Sequence, residues 1–177
     1  MTTGSSLVTE RLITRLAQEA DRPRFVSLFR DPQFRAFTQG PLSEPDAHRR
    51  FDRMLAMCAE CAFAKQPLVE QASGRIVGYA GVDWFGAGED RCLEFGWRLA
   101  AEARGLGYAT EASRALLELA EQTFSGEIFS MIANDNEASH NVARKLGFQP
   151  IGSVTIDGHA GRLYRIMIGE GPLETAG

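Results

Sequence analysis

The sequence predicts an α+β fold: a central mixed, mostly antiparallel sheet flanked by helices. Three observations lead there. Residues 93–99 alternate apolar Leu93, Phe95, Trp97 and Leu99 with Glu94, Gly96 and Arg98, the period of two of a strand with one face in a core. A glycine-bearing turn then leads into a helical run over 110–123 and a short apolar strand over 127–133; a helix between two strands makes them parallel. Elsewhere strand patterns meet through short turns, which makes those pairings antiparallel.

In chain order, residues 1–6 are small and polar and read as a loose end. Residues 7–16 read as a first strand. Residues 18–29 read as a helix, with Pro23 tolerated near its start and Asp31-Pro32 ending it. Residues 34–41 are irregular. Ser43-Glu44-Pro45-Asp46 starts a second helix, with serine as N-cap, an acid three residues on and proline in the first turn. It runs to about Ala59, and Ala47, Phe51, Met54, Leu55 and Cys58 form its apolar stripe. Residues 62–71 and 75–85 read as strands joined by a turn at Ala72-Ser73-Gly74. A second turn over 86–90 leads into the 93–99 strand and completes a three-stranded meander. The 110–123 helix presents Ala109, Ala112, Leu116, Leu119 and Ala120 on one face, with Glu111, Glu118 and Glu121 elsewhere. Asn134-Asp135-Asn136 caps a helix over 137–146, and Gly147 is placed to end it. Residues 148–156 and 161–168 form a closing hairpin around Asp157-Gly158-His159-Ala160, and the tail after Gly169 reads as frayed. A single domain over 1–177 is expected, with its core over about 7–169 and a loose tail over 170–177.

Composition narrows the function. The formal net charge is −4 with no dense basic run, which argues against nucleic acid as a partner and weakly favours a cationic one. No apolar run approaches the roughly 20 residues of a membrane span. The opening MTTGSS lacks the basic and apolar regions of a secretory signal, so the cytoplasm is the expected location. Cys58-x-x-Cys61 invites a redox or zinc reading, but Cys58 belongs to an apolar stripe, where a thiol behaves as a small hydrophobe. His48, His140 and His159 are scattered, so no metal is expected.

The chemistry centres on Arg104-Gly105-Leu106-Gly107-Tyr108-Ala109, which follows the 93–99 strand and opens a helix. Small residues at 105, 107 and 109 let a ligand approach the backbone. The free N–H groups of a helix start, with the dipole behind them, suit a phosphate. The stretch is neither G-x-G-x-x-G nor a P-loop, and a tight turn without a ligand remains an equal reading of these residues alone.

Arg104-x-x-Gly107-x-Ala109 resembles the acyl-CoA pyrophosphate loop of the GNAT acetyltransferases, Arg/Gln-x-x-Gly-x-Gly/Ala. A second block agrees: Asn136-Glu-Ala-Ser139-His-Asn-Val142-Ala-Arg-Lys145-Leu-Gly147-Phe148 is similar to that family's Asn-x-x-Ser-x-x-Val-x-x-Lys-Leu-Gly-Phe. The opening Thr9-Glu10-Arg11-Leu12-Ile13-Thr14-Arg15 resembles the branch that holds the ribosomal-protein alanine/serine N-terminal acetyltransferases. The resemblance implies a GNAT-like acyl-CoA N-acyltransferase fold in which the 93–99 and 127–133 strands splay apart, with acetyl-CoA as cosubstrate in the gap. Its pyrophosphate would lie on the N–H groups of Gly105, Leu106, Gly107, Tyr108, Ala109 and Thr110, with Arg104 adding charge. Its pantetheine arm would pair with the backbone of Trp97, Arg98 and Leu99 and touch the Asn136 side chain; Asn136 is equally a favoured N-cap.

An amine acceptor has to lose its proton, at a pKa of about 10.4 for a lysine-type amine, before it attacks a thioester. Glu94 is the candidate base; the competing reading pairs it with Arg98, its neighbour on the same face. The leaving thiolate, with a thiol pKa of about 8.5 if cysteine-like, is helped by a donor. The family's usual tyrosine falls at Ala143 here, and the resembled branch places the role on Ser139, which could equally bond the backbone. Tyr108 and Tyr164 are fallback donors, a backbone N–H at the end of the 93–99 strand is the expected oxyanion donor, and His140 reads as surface. Cys92, two residues before Glu94 on the same face, is a weak candidate for a covalent route. The expected activity is direct acetyl transfer in a ternary complex. The acceptor would be a small-molecule amine or a protein N-terminus, and the protein a monomer or homodimer. The rivals are a non-catalytic acyl-CoA-binding sensor or scaffold of the same fold, and a structural domain with no ligand.

Overall fold

A computed structural model describes residues 6–169; of the loose ends expected over 1–6 and 170–177, all but residue 6 lie outside them. The strands are β1 (Leu7–Val8), β2 (Leu12–Thr14), β3 (Gln66–Glu70), β4 (Ile76–Phe85), β5 (Cys92–Leu99), β6 (Gly126–Ala133), β7 (Gln149–Ile156) and β8 (His159–Ile168). The helices are α1 (Arg22–Phe29), α2 (Glu44–Glu60), α3 (Tyr108–Glu121) and α4 (Glu137–Leu146). One sheet runs β1-β2-β3-β4-β5-β6-β8-β7, antiparallel throughout except between β5 and β6.

Local signals set most boundaries. Ser43 caps α2 by accepting from the Asp46 N–H. Gly147 closes α4 in the left-handed region, at φ 89°, which costs glycine little. Three expectations are corrected. The single strand over 7–16 is a hairpin, Leu7 opposite Thr14 and Val8 opposite Ile13. Its turn is fastened by the Thr9 N–H to the Leu12 carbonyl at 2.9 Å. The strand over 62–71 begins only at Gln66, because residues 63–65 leave the antiparallel ladder for a lone parallel bridge, Ala64 beside Val82, pressed so close to Gly81 that a Cβ there would stand 2.2 Å from the Ala64 carbonyl oxygen. The last hairpin turns on two residues, Asp157 and Gly158, both at positive φ, the backbone of a tight hairpin turn.

Two apolar layers hold the helices. On one face, Phe25, Phe29, Phe34 and Phe51 of α1, α2 and the segment between them gather on Tyr79 of β4, with neighbouring ring centroids 5.5–6.4 Å apart. On the other, Phe95 and Trp97 of β5 meet Phe148 at 6.2 and 6.5 Å, beneath α3 and α4. Cys58 is buried in the first layer, where burial raises its thiol pKa above the ordinary value, and Leu55 of the expected stripe is only partly buried.

Candidate functional site

The site lies where β5 ends. After Leu99 the chain makes a 3₁₀ turn over Ala101–Ala103. It then passes Gly105 at φ 75° and reaches Gly107, the N-cap of α3, at φ 84°. No Cβ would be hindered at Gly105, and at Gly107 the nearest atom is Arg11 Nη2 at 3.4 Å; backbone conformation, not crowding, calls for glycine here. The helix begins at Tyr108, two residues before the sequence reading placed it. Among the described residues, the N–H groups of Gly105, Leu106, Gly107, Tyr108, Ala109 and Thr110 donate to no backbone carbonyl. The first N–H taken is that of Glu111, by Gly107 at 3.1 Å. Six adjacent unpaired donors at the positive end of a 14-residue helix make a cradle for an anion.

Two arginines flank this cradle. Arg104 turns back: Nε donates to the Leu99 carbonyl at 3.3 Å and Nη2 to that of Gln33, so it ties the loop to the strand end. Arg11, which the sequence reading left without a role, reaches the loop from the first hairpin. Its Nη1 donates to the Leu106 carbonyl at 2.8 Å, its Nε to Glu111 at 2.9 Å, and its guanidinium covers the Tyr108 ring. Thr9 Oγ1 and the Arg11 backbone N–H also donate to Glu111. The block Thr9-Glu10-Arg11 was the available signal, but its partner lies about a hundred residues away.

Beside the cradle the sheet opens. β4–β5 and β6–β8 each pair along eight positions, whereas β5 and β6 share one register pair, Glu94 with Phe129. Beyond it β5 runs on through Trp97, Arg98 and Leu99 with no ladder partner on that side. Just past the end of β6 comes Asn136, the N-cap of α4, whose Oδ1 accepts from the Ser139 N–H at 3.1 Å. Ser139 is half-buried in the first turn of α4.

A family model described as the acetyltransferase (GNAT) domain matches residues 11–149. The chain belongs to the GNAT acetyltransferase family. Its fold is shared by a Bordetella pertussis chain described as a GNAT-family acetyltransferase (28% identity, 91% of this chain and 98% of that one, TM-score 0.80). An acetyltransferase from Agrobacterium tumefaciens is similar too (25% identity, 92% and 94%, TM-score 0.78). So is a ribosomal L7/L12 α-N-protein acetyltransferase in complex with coenzyme A (17% identity, 93% and 98%, TM-score 0.75). The protein is thus an acetyl-CoA-dependent acyltransferase. The cradle fits a pyrophosphate by its own geometry, since it offers only donors. Among the described residues no group of three or more His, Cys, Asp or Glu side chains could hold a metal, and no helix is long and apolar enough to cross a membrane.

In this GNAT protein Glu94 lies at the mouth of the gap, on the face that carries α1 and α2. It does not pair with Arg98. Its Oε2 accepts from Lys65 Nζ at 2.9 Å, with side chains 17% and 10% exposed. Lys65 arrives where residues 63–65 pack against Gly81. Gly96 leaves it room, since a Cβ there would stand 3.1 Å from Glu94 Oε1 and 3.4 Å from Lys65 Cε. Cys92 lies on the same face, its thiol held above the ordinary pKa by burial and then by the Glu94 charge, which keeps it protonated at neutral pH.

On the opposite face the expectation for His140 is corrected: it is buried, and its Nδ1 lies 2.9 Å from the Tyr164 hydroxyl, itself buried. His140 and Ala143 are the buried residues of α4, three apart on one stripe; that spacing was the missed signal. The pair lines a cleft of about 590 Å³ with Asn134, Arg144, Phe148 and Arg162. Ala143, the position at which the resemblance led to the expectation of a tyrosine, is fully buried. Of the fallback donors, Tyr108 gives its hydroxyl to Glu70 at 2.7 Å and Tyr164 is taken up by His140.

Proposed function

We propose that this acetyltransferase moves the acetyl group of acetyl-CoA onto a primary amine, of a small molecule or a protein N-terminus, by direct attack in a ternary complex. The observation that carries the reading is the juxtaposition of the six-donor cradle with the single-pair opening beside Glu94. The N–H groups of Gly105, Leu106, Gly107, Tyr108, Ala109 and Thr110 hold the pyrophosphate, while Arg104 adds its field from its place on the Leu99 and Gln33 carbonyls. The unpaired backbone of Trp97, Arg98 and Leu99 takes the pantetheine amides as an added strand would, and the Asn136 amide nitrogen faces the same arm while its oxygen caps α4.

Bound acetyl-CoA supplies a carbonyl activated as a thioester; the chain places the amine and takes its proton. Glu94 accepts that proton directly or through a water, on Oε1, the oxygen that Lys65 leaves free. Ser139 gives a hydrogen bond to the departing sulfur rather than a full proton, since a serine hydroxyl is a weak acid.

Titration calorimetry with acetyl-CoA, followed by a thiol-release screen of amines and peptide N-termini, tests this. Binding with thiol release upholds it. Binding without release from any amine leaves an acyl-CoA-binding protein that does not transfer, and no binding removes the cradle reading.

A further inference from the structure

The face of the sheet that carries Glu94 is lined with cations, against the net charge of the chain. Tyr79 stands opposite Arg98 across β4–β5. Arg98 lies 5.8 Å from the Phe34 ring, which packs edge-on to Tyr79, and Lys65 Nζ lies 5.9 Å above the Tyr79 ring. Arg50 and Lys65 line a cavity of about 10 Å³ at Tyr79, room for about one water-sized group. Arg35, beside Phe34, is half-buried and gives its Nε to the Gly40 carbonyl at 2.6 Å.

Their partners do not balance them. Asp83 is held by Arg53 at 3.1 Å and by Arg50 at 3.7 Å, and Glu94 is held by Lys65. Arg98 and Arg35 form an ion pair with no acid among the described residues, although the Asp157 carboxylate acts on Arg35 from a distance. Tyr79 is 4% exposed and its hydroxyl meets no hydrogen-bond partner among the described residues. Burial alone would raise its pKa, yet the field of Arg98, Lys65 and Arg50 brings it below the ordinary phenol value. Burial, then the Arg98 charge, likewise lowers Arg35. Two half-buried cations with no acid beside them, next to a phenol hydroxyl without a protein partner, leave this face with a positive field that an anion would offset.

We propose that the acceptor amine carries an anionic group, a carboxylate or phosphate, that seats against Arg98 and Arg35 with the Tyr79 hydroxyl donating to it. This rests on the acetyl-transfer reading and names its substrate class. Lys65 is in contact with Glu94 and stands over Tyr79, so one small molecule spans the base and the cation group. A diamine meets like charge there.

Thiol release is measured for matched pairs: alanine against alaninamide, 2-aminoethyl phosphate against ethanolamine, and an Ala-Asp against an Ala-Asn N-terminal peptide. The preferred pair tells which source supplies the anion. The anionic member is expected to lead by about tenfold or more in kcat/KM. Arg98→Gln and Arg35→Gln are expected to erase that lead through KM, and Arg98→Glu to favour a diamine, a gain that misfolding does not produce. Equal or better turnover of the neutral members, or an unchanged KM in both glutamine variants, overturns the proposal. If no amine releases thiol, the transfer reading falls, and titration of 2-aminoethyl phosphate into CoA-saturated protein decides this one. Heat in the wild type that Arg98→Gln abolishes upholds it; none in the wild type overturns it.

Discussion

Glu94 Oε2 sits 2.9 Å from Lys65 Nζ, and the pair exists because two glycines clear its path. Gly81 lets residues 63–65 come hard against β4, and Gly96 leaves space for the carboxylate and the lysine stem. Glu94 thereby presents one free oxygen at the last paired position before the strands part. Glu94→Gln keeps the shape and removes the base. Its kcat is expected to fall by about 10²-fold or more, with acetyl-CoA affinity unchanged by calorimetry. An unchanged kcat would move the base elsewhere.

Gly81→Ala puts a methyl 2.2 Å from the Ala64 carbonyl oxygen in a conformation that L residues rarely adopt. The bridge at Ala64 has to shift and Lys65 with it. A loss of about 1–3 kcal/mol in chemical denaturation is expected, together with reduced kcat. A variant as stable as the wild type would contradict the close approach.

Leu106 is 48% exposed on the cradle loop, so Leu106→Glu can be made without disturbing a core. It sets a negative charge among six unpaired donors. Acetyl-CoA is expected to bind about tenfold more weakly or worse, while the thermal midpoint stays near that of the wild type. Equal affinity would mean that the pyrophosphate lies elsewhere.

Glu111 carries a pH dependence. Burial pushes its carboxyl up, but hydrogen bonds from Thr9 and from the Arg11 backbone and side chain outweigh it and hold the pKa below the ordinary 4.5. A depressed folded value stabilises the protein above the unfolded value and stops doing so as the pH falls through the folded one. Glu111→Gln should therefore melt at a lower temperature than the wild type at neutral pH. The gap should close as the pH drops below 4.5, as thermal melts in acid steps would show. A constant gap would place the contribution in packing rather than charge.

Tyr164→Phe leaves His140 Nδ1 buried without its partner at 2.9 Å. A loss of about 1–3 kcal/mol is expected with thiol release little changed, whereas Ser139→Ala should leave stability alone and slow thiol release. The reverse pattern would assign the donor role to Tyr164.

What could be read before the fold was known was local. The caps at Ser43, Asn136 and Gly147, the glycine turn before α3 and the alternation along β5 each rest on backbone sterics or on hydrogen bonds spanning a few residues, so the residues themselves announce them. The cradle was legible for the same reason: a helix start leaves its donors free wherever it occurs. Expectation failed where a partner is distant. Residues 7–16 have the composition of one strand, but Glu111 accepts from Thr9 and Arg11 and stabilises a turn there. Residues 62–65 follow on from a strand pattern, but residues 63–65 close on Val82 in a lone parallel bridge that the missing side chain of Gly81 permits.

The sequence by itself determined the order of elements from α1 onward, the parallel relation of β5 and β6 around α3, and the glycine turn with free donors before α3, because these follow from period, capping and glycine. Only the tertiary structure decided that β5 and β6 share a single pair, that Lys65 rather than Arg98 holds Glu94, that Arg11 reaches the cradle loop from the turn of the first hairpin, and that His140 is buried on Tyr164. Each of these joins residues 24 to 100 positions apart. Charge and period say that such groups need partners, but the choice of partner is made by the packing of strands and helices that no short stretch encodes.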